Sequence, residues 1–256
     1  MVLSLRFGFW KIIIVLGAYL ALLSGLIGGS DPQTVPDGSR LIVGDSCYAI
    51  ELNGEVMGAT RQVVREVEHE GRPAWRIEIH QRLPAMQFDV RDTFVVDRRD
   101  LSAIRYESDR AASAHAPAQS IRISYGPDRL EGSKVEGDVL TPIEAQLGDP
   151  VLDGNLWGLT FSGLELYDGA HHSLSFWHYD KGFGQFSVAV VGDRAIETPN
   201  GPVDAWVLEA GDGSGRTTTY LIAKDDHAEL GYSAGPFRQT LGGDCTGFSA
   251  LEGGQS

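Results

Sequence analysis

The feature that most narrows the fold is a repeated two-residue alternation of apolar and polar side chains. Trp75, Ile77 and Ile79 alternate with Arg76, Glu78 and His80; Ile121, Ile123 and Tyr125 alternate with Arg122 and Ser124. Successive side chains of a strand point to opposite faces, so this period describes strands with one dry and one wet face. Residues 63–67 and 94–96 add further strand pieces. Turn formers separate the runs: Asn53 with Gly54, then 70–73, 97–100 and 126–128. Residues 199–202 stand between the apolar runs 195–197 and 205–208, and the glycine-rich 211–215 precedes 217–222. Both read as hairpins of an antiparallel sheet. The 32 glycines and 11 prolines fit many strands joined by turns.

One segment breaks this rhythm. From Asp153 to Leu164 the apolar residues Leu156, Leu159 and Leu164, with Trp157 and Phe161 nearby, follow a helical spacing, and Asp153 is placed to cap it. Gly154, Gly158 and Gly163 work against that helix. Residues 110–118, rich in Ala and Ser, read as a loop. The later strands carry apolar residues on both faces: Leu174 and Phe176 on one, Trp177 and Tyr179 on the other, and Val203, Ala205 and Val207 opposite Trp206 and Leu208. Strands of this kind are covered on both sides. The expectation is a mainly β protein: a curved antiparallel sheet, half-barrel or barrel, with one or two short covering helices. A two-layer sandwich with no cavity satisfies the same pattern.

Ahead of this region lies an expected N-terminal hydrophobic helix. Arg6 and Lys11 precede an uncharged apolar run at 12–27, and polar residues begin at Asp31. Cations before such a run orient the start of the chain inside and the remainder outside the cytoplasm. The run is slightly long for the roughly 7–15 residues of a signal-peptide core. It is slightly short for the roughly 17–25 of a spanning helix. Residues 1–30 therefore read as a signal peptide or a membrane anchor. A linker follows at 31–40, then a single β-rich extracytoplasmic domain at 41–248 and a flexible tail at 249–256. Two of the 21 basic residues lie in the leader, so the rest of the chain carries 19 against 35 acidic ones, a formal charge of −16. A body this acidic repels phosphate backbones, which argues against nucleic acid as a partner.

Cys47 and Cys245 stand near the two ends of the expected domain. Outside the cytoplasm an even number of cysteines can oxidise. A bridge would require the first and last strands to be neighbours, as in a closed or rolled sheet; the alternative is two separate thiols.

Two stretches resemble a known family. Residues 48–58 combine Tyr48 with glycines at 54 and 58. Later come 191–201, with Gly192, Glu197, Pro199 and Gly201, and then Val203 to Leu208. This order resembles exported bacterial proteins grouped as domain of unknown function 3108, over about residues 45–235. That family is similar to the periplasmic lipoprotein carriers LolA and LolB, a curved sheet around an apolar cavity. The resemblance implies binding of a hydrophobic ligand and supplies no catalytic residues.

The residues themselves offer little chemistry. Residues 231–235 match the G-x-S-x-G pattern around Ser233, but a nucleophile elbow needs a helix after the serine, and Pro236 follows at once. On a strand, His171 and His172 point to opposite faces, and His172 and His178 lie roughly 20 Å apart, so these three cannot share one metal ion. Asp225, Asp226 and His227 read as an acidic turn. No metal, cofactor or catalytic set is expected. The expected function is a non-enzymatic periplasmic protein that binds a lipid or other apolar molecule, with Trp157, Phe161, Phe176, Trp177 and Trp206 as candidate lining. An envelope assembly factor that binds another protein is the alternative, and an envelope hydrolase the third reading. A retained leader would add the membrane as a partner.

Overall fold

The computed structural model describes residues 33–114 and 116–248. The expected leader at 1–30 and tail at 249–256 lie outside the described residues.

The strands are β1 (Gly44–Leu52), β2 (Glu55–His69), β3 (Arg72–Leu83), β4 (Phe88–Asp97), β5 (Ala103–Arg110), β6 (Gln119–Tyr125), β7 (Arg129–Glu136), β8 (Val139–Gln146), β9 (Leu152–Asp153), β10 (His171–His178), β11 (Gly182–Thr198), β12 (Gly201–Gly211), β13 (Thr217–Ala223), β14 (Glu229–Ala234) and β15 (Phe237–Leu241). One short helix, α1 (Gly158–Ser162), lies between β9 and β10. The alternating residues of the sequence fall within these strands, and the turn formers fall between them. Asn53 and Gly54, with φ of 54° and 84°, join β1 to β2. This left-handed geometry suits the two-residue hairpin that their side chains favour.

Among the described residues, the fifteen strands form one sheet. Strands β1 to β8 run outward from its middle in one direction and β15 back to β9 in the other. Chain start and chain end meet where β1 pairs antiparallel with β15, Tyr48 opposite Leu241. The first and last strands are thus neighbours without closure of the sheet, whose edges are β8 and β9. Cys47 and Cys245 form a disulfide, with Cα atoms 5.9 Å apart. It fastens the segment after β15 to the outer face of β1, and Phe248 lies edge-on to His80 of β3.

The sheet is rolled rather than flat. The β9–β10 edge tucks against the inner faces of β5 to β7: Tyr179 stacks on Tyr106 with ring centres 6.2 Å apart, Trp177 meets Tyr125 edge-on, and Lys134 reaches Asp180 at 3.1 Å. This explains the two apolar faces of β10. Phe176 faces the main core, while Trp177 faces the wall that curls around it. The core is one large cluster, in which Trp75, Ile77, Phe94, Ile121, Ile123, Phe161 and Phe186 are fully buried. A second, outer cluster of Ala205, Leu221, Ala223 and Leu230, with Val203, Val207 and Ile196 against it, accounts for the other two-faced strand, β12.

Two expectations change. The helix expected from Asp153 to Leu164 is only the five residues of α1, and Asp153 belongs to β9 instead of capping it. The Asp153 carboxyl is held by the Tyr125 hydroxyl at 2.7 Å and by the backbone and side-chain amides of Asn155. The stretch that reads as a linker is packed on the domain from Thr34 onward. Thr34 N–H donates to the Ser173 carbonyl, Asp37 N–H to that of Gly163, and Leu41 is buried. The loop expected at 110–118 joins β5 to β6.

Candidate functional site

A cavity of about 280 Å³ lies between residues 155–159 and the inner face of the sheet where β2, β13, β14 and β15 come together. The strand period sets much of its wall. On β2, Thr60 and Gln62 share the face of the buried Val64, and on β3 Gln81 follows Ile77 and Ile79. Gln62 donates to the Tyr48 hydroxyl at 3.3 Å, and that hydroxyl donates to the Glu229 backbone carbonyl at 3.0 Å. Thr60 donates to Gln239 Oε1 at 2.8 Å. These hydrogen bonds hold the polar wall in one arrangement, because buried polar groups left unpaired are costly.

Glu229 stands in this wall because of a bulge. Ile222 pairs with Glu229 and Leu221 with Gly231, so Leu230 is skipped. The extra residue restarts the alternation, and Glu229 and Tyr232 both face inward although they are three positions apart. Leu230 turns outward into the second cluster. Gly231 makes this possible. Its φ is 135°, and a Cβ there would stand 2.0 Å from the Gln239 carbonyl oxygen. Across the cavity, Gly158 opens α1. A Cβ on it would come within 2.1 Å of the Glu229 carboxyl, so any side chain there would force that carboxyl to move.

Burial pushes the Glu229 carboxyl up to about 7, against a partial lowering by its hydrogen bond with Gln62. Asp92, on the β4 side of the same cavity, is also raised by burial, with hydrogen bonds from Ser108 and Tyr106 working the other way. Beside it, burial lifts Asp153 to about 6. The interior therefore holds three acids whose burial favours the protonated form, a condition typical of sites that bind or exchange a charged group.

The five aromatic residues named as candidate lining are spread over several parts of the fold. Trp157 lines the cavity. Phe161 and Phe176 are buried in a packed group with Phe186 and Tyr220, Phe161 lying edge-on to Tyr220 at 4.9 Å. Trp177 faces a separate groove at the β8 edge, beside Lys134, Tyr179 and Asp180. Trp206 lies under the Lys224 ammonium, 4.0 Å from the ring centre. The physical cause is the roll of the sheet together with strand alternation, which sends neighbouring positions such as 176 and 177 to opposite faces of β10.

The remaining motif residues have structural places. Ser233 sits within β14, with no helix after it; Gly231 is the bulge glycine, and Gly235, with φ of 58°, belongs to the turn into β15. His171, His172 and His178 all lie on β10, and His172 Nε2 meets the Glu165 carbonyl at 3.0 Å. His227 bridges Ser162 and Arg40. Among the described residues no group of three or more His, Cys, Asp or Glu side chains is arranged to hold a metal ion.

Fold and cavity together define a barrel-like protein, a single rolled and open antiparallel sheet around an aromatic core, with a polar chamber at Glu229. The chain belongs to the family described as "Protein of unknown function (DUF3108)", whose model matches residues 47–233. Among solved structures it is similar to a beta-barrel-like protein of domain of unknown function DUF1849 from Brucella abortus. The identity is 9%, over 82% of this chain and 97% of that one, with a TM-score of 0.46. No curated protein matches the chain.

Proposed function

We propose that this protein is a non-enzymatic, extracytoplasmic binding module that holds a small amphipathic molecule in the cavity at Glu229. The observation that carries this reading is the chamber itself. Polar side chains from six strands converge on it, while Trp157, Leu156, Leu159 and Ile79 supply an apolar side. Ligand sites combine such a mostly preformed concavity with a few placed polar groups. At about 280 Å³ it sits at the small end of such sites, which run from about 300 Å³ upward. It suits a compact molecule or the head of a lipid better than a full acyl chain, so the lipid expectation narrows to an amphipathic ligand. The resemblance of this protein's family to periplasmic carriers of apolar molecules supports the same reading.

The extracytoplasmic reading draws on the basic-flanked apolar run at 12–27 and on the Cys47–Cys245 disulfide, a bond that persists in oxidising compartments. Native mass spectrometry of the protein purified from its own compartment tests the binding role. A co-purifying small molecule that Trp157→Ala abolishes is the expected result. An empty protein that instead cross-links reproducibly to one envelope protein would favour the assembly reading.

A further inference from the structure

Every group around this cavity that can carry charge is an acid or a phenol. No Lys, Arg or His lines it, and neither Glu229 nor Asp92 takes part in an ion pair among the described residues. Buried carboxylates normally sit against a cation. Here Glu229 has an amide, Gln62, and Asp92 has the hydroxyls of Tyr106 and Ser108. These neutral dipoles leave the negative charge uncompensated.

The same chamber presents aromatic rings. Trp157, Tyr220 and Tyr232 all line it, the two tyrosines stacked with centres 5.4 Å apart. A carboxylate beside aromatic rings in a desolvated space is the chemistry that recognises organic cations, through direct charge attraction and cation–π contact. The acidic body, at −16 beyond the leader, draws cations toward the protein at long range.

Building on the cavity reading above, we infer that the ligand is an organic ammonium ion, its positive head beside Glu229 and its alkyl part against Trp157. The ammonium can belong to a free amine or to a zwitterionic lipid headgroup, since both present the same group.

The test titrates purified protein with choline and with its uncharged isostere 3,3-dimethylbutan-1-ol, by calorimetry, at pH 6 and pH 8. Choline binding at least about tenfold tighter than the isostere is expected at pH 8. Choline carries its charge at every pH, so its affinity follows the ionisation of the cavity carboxyls, Glu229 beside its head and Asp92 on the β4 side. The groups facing Glu229 are Tyr48 from β1, Tyr220 from β13, Tyr232 from β14 and Asp92 from β4; α1 contributes none. The three phenols stay neutral over this range, because burial raises all of them. With the carboxyl half-ionised at about 7, choline affinity should rise by about tenfold from pH 6 to pH 8. Glu229→Gln should lower it at pH 8 by about tenfold or more and leave only the weaker pH dependence that Asp92 supplies. Dihexanoyl phosphatidylcholine, titrated alongside, separates the two sources: tighter binding than choline assigns a lipid headgroup, weaker binding a free amine.

Equal binding of choline and the isostere would overturn the charge inference and leave the cavity reading standing. So would uptake of the neutral probe N-phenyl-1-naphthylamine with no choline binding. No binding of any of these, with an empty protein by native mass spectrometry, would overturn both.

Discussion

Replacing Glu229 by glutamine should make the protein more stable, and the gain should depend on pH. Burial pushes this carboxyl from its ordinary 4.5 to about 7 in the folded chain. A pKa gap of that size corresponds to about 3 kcal/mol of differential stability. An acid with a raised folded pKa binds its proton more tightly when folded. Below pH 4.5 the group is protonated in both states and costs nothing. As the pH rises from 4.5 toward 7, the unfolded chain ionises first and native stability falls. Above 7 the full penalty is present and constant. Glu229→Gln should therefore match the native protein at about pH 4.5 and exceed it by up to about 3 kcal/mol at pH 8. Asp153, also raised by burial, acts in the same sense, whereas His80, His172 and His178, lowered by burial, act in the opposite one. All of these are common to both proteins and cancel in the difference. Urea unfolding followed by tryptophan fluorescence at a series of pH values measures it. A difference that is the same at every pH, or a variant less stable than the native protein at pH 8, would refute the reasoning.

Other consequences follow from the packing. Phe161→Ala, which empties a fully buried ring site against Phe186 and Tyr220, should cost about 3–5 kcal/mol by denaturant unfolding; a loss below about 1 kcal/mol would mean that the aromatic group is not the core. Removing the Cys47–Cys245 bridge frees two positions 198 residues apart, worth at most about 5 kcal/mol in the chain-entropy model. The urea midpoint should fall when dithiothreitol is added, and an unchanged midpoint would contradict the bond. Gly231→Val forces a side chain onto a φ of 135° and against Gln239, and should destabilise by more than about 1 kcal/mol, with loss of Glu229-dependent ligand binding. Gly158→Leu should leave the fold measurable by circular dichroism but weaken choline binding, because the new side chain is directed at the Glu229 carboxyl.

How much of this protein can be read from its sequence differs between wall and chamber. Strands such as β3 and β6 are legible because Trp75, Ile77, Ile121 and Ile123 keep a strict period of two, and hairpins such as 53–54 are legible because Asn and Gly tolerate left-handed backbone. The two-faced character of β10 and β12 is legible as composition. What covers each face is not, since Phe176 and Trp177 meet partners from different strands: Phe186 of β11 on one side, Tyr125 of β6 on the other. The site residue with the largest consequence, Glu229, was hidden by a bulge. In a regular strand Glu229 and Tyr232 would lie on opposite faces, and only the pairing of Ile222 with Glu229 and of Leu221 with Gly231 brings them to one side. The Gly-x-Ser-x-Gly run was visible, but its glycines serve the bulge and the turn rather than an elbow.

The sequence by itself determined that this chain becomes strands and turns, which positions face a core, and that its two cysteines stand near the two ends of the domain. Those properties depend on local backbone preference and on a short period, which neighbouring residues set. Tertiary structure alone decided that the sheet rolls without closing and that α1 shrinks to five residues. It also decided that two carboxyls, three glutamines and three aromatic rings from distant parts of the chain line one small chamber. The physical reason is that burial, unlike alternation, is a property of what arrives opposite a side chain, and here the groups that meet Glu229 come from positions as far apart in the chain as Gln62 and Gly158.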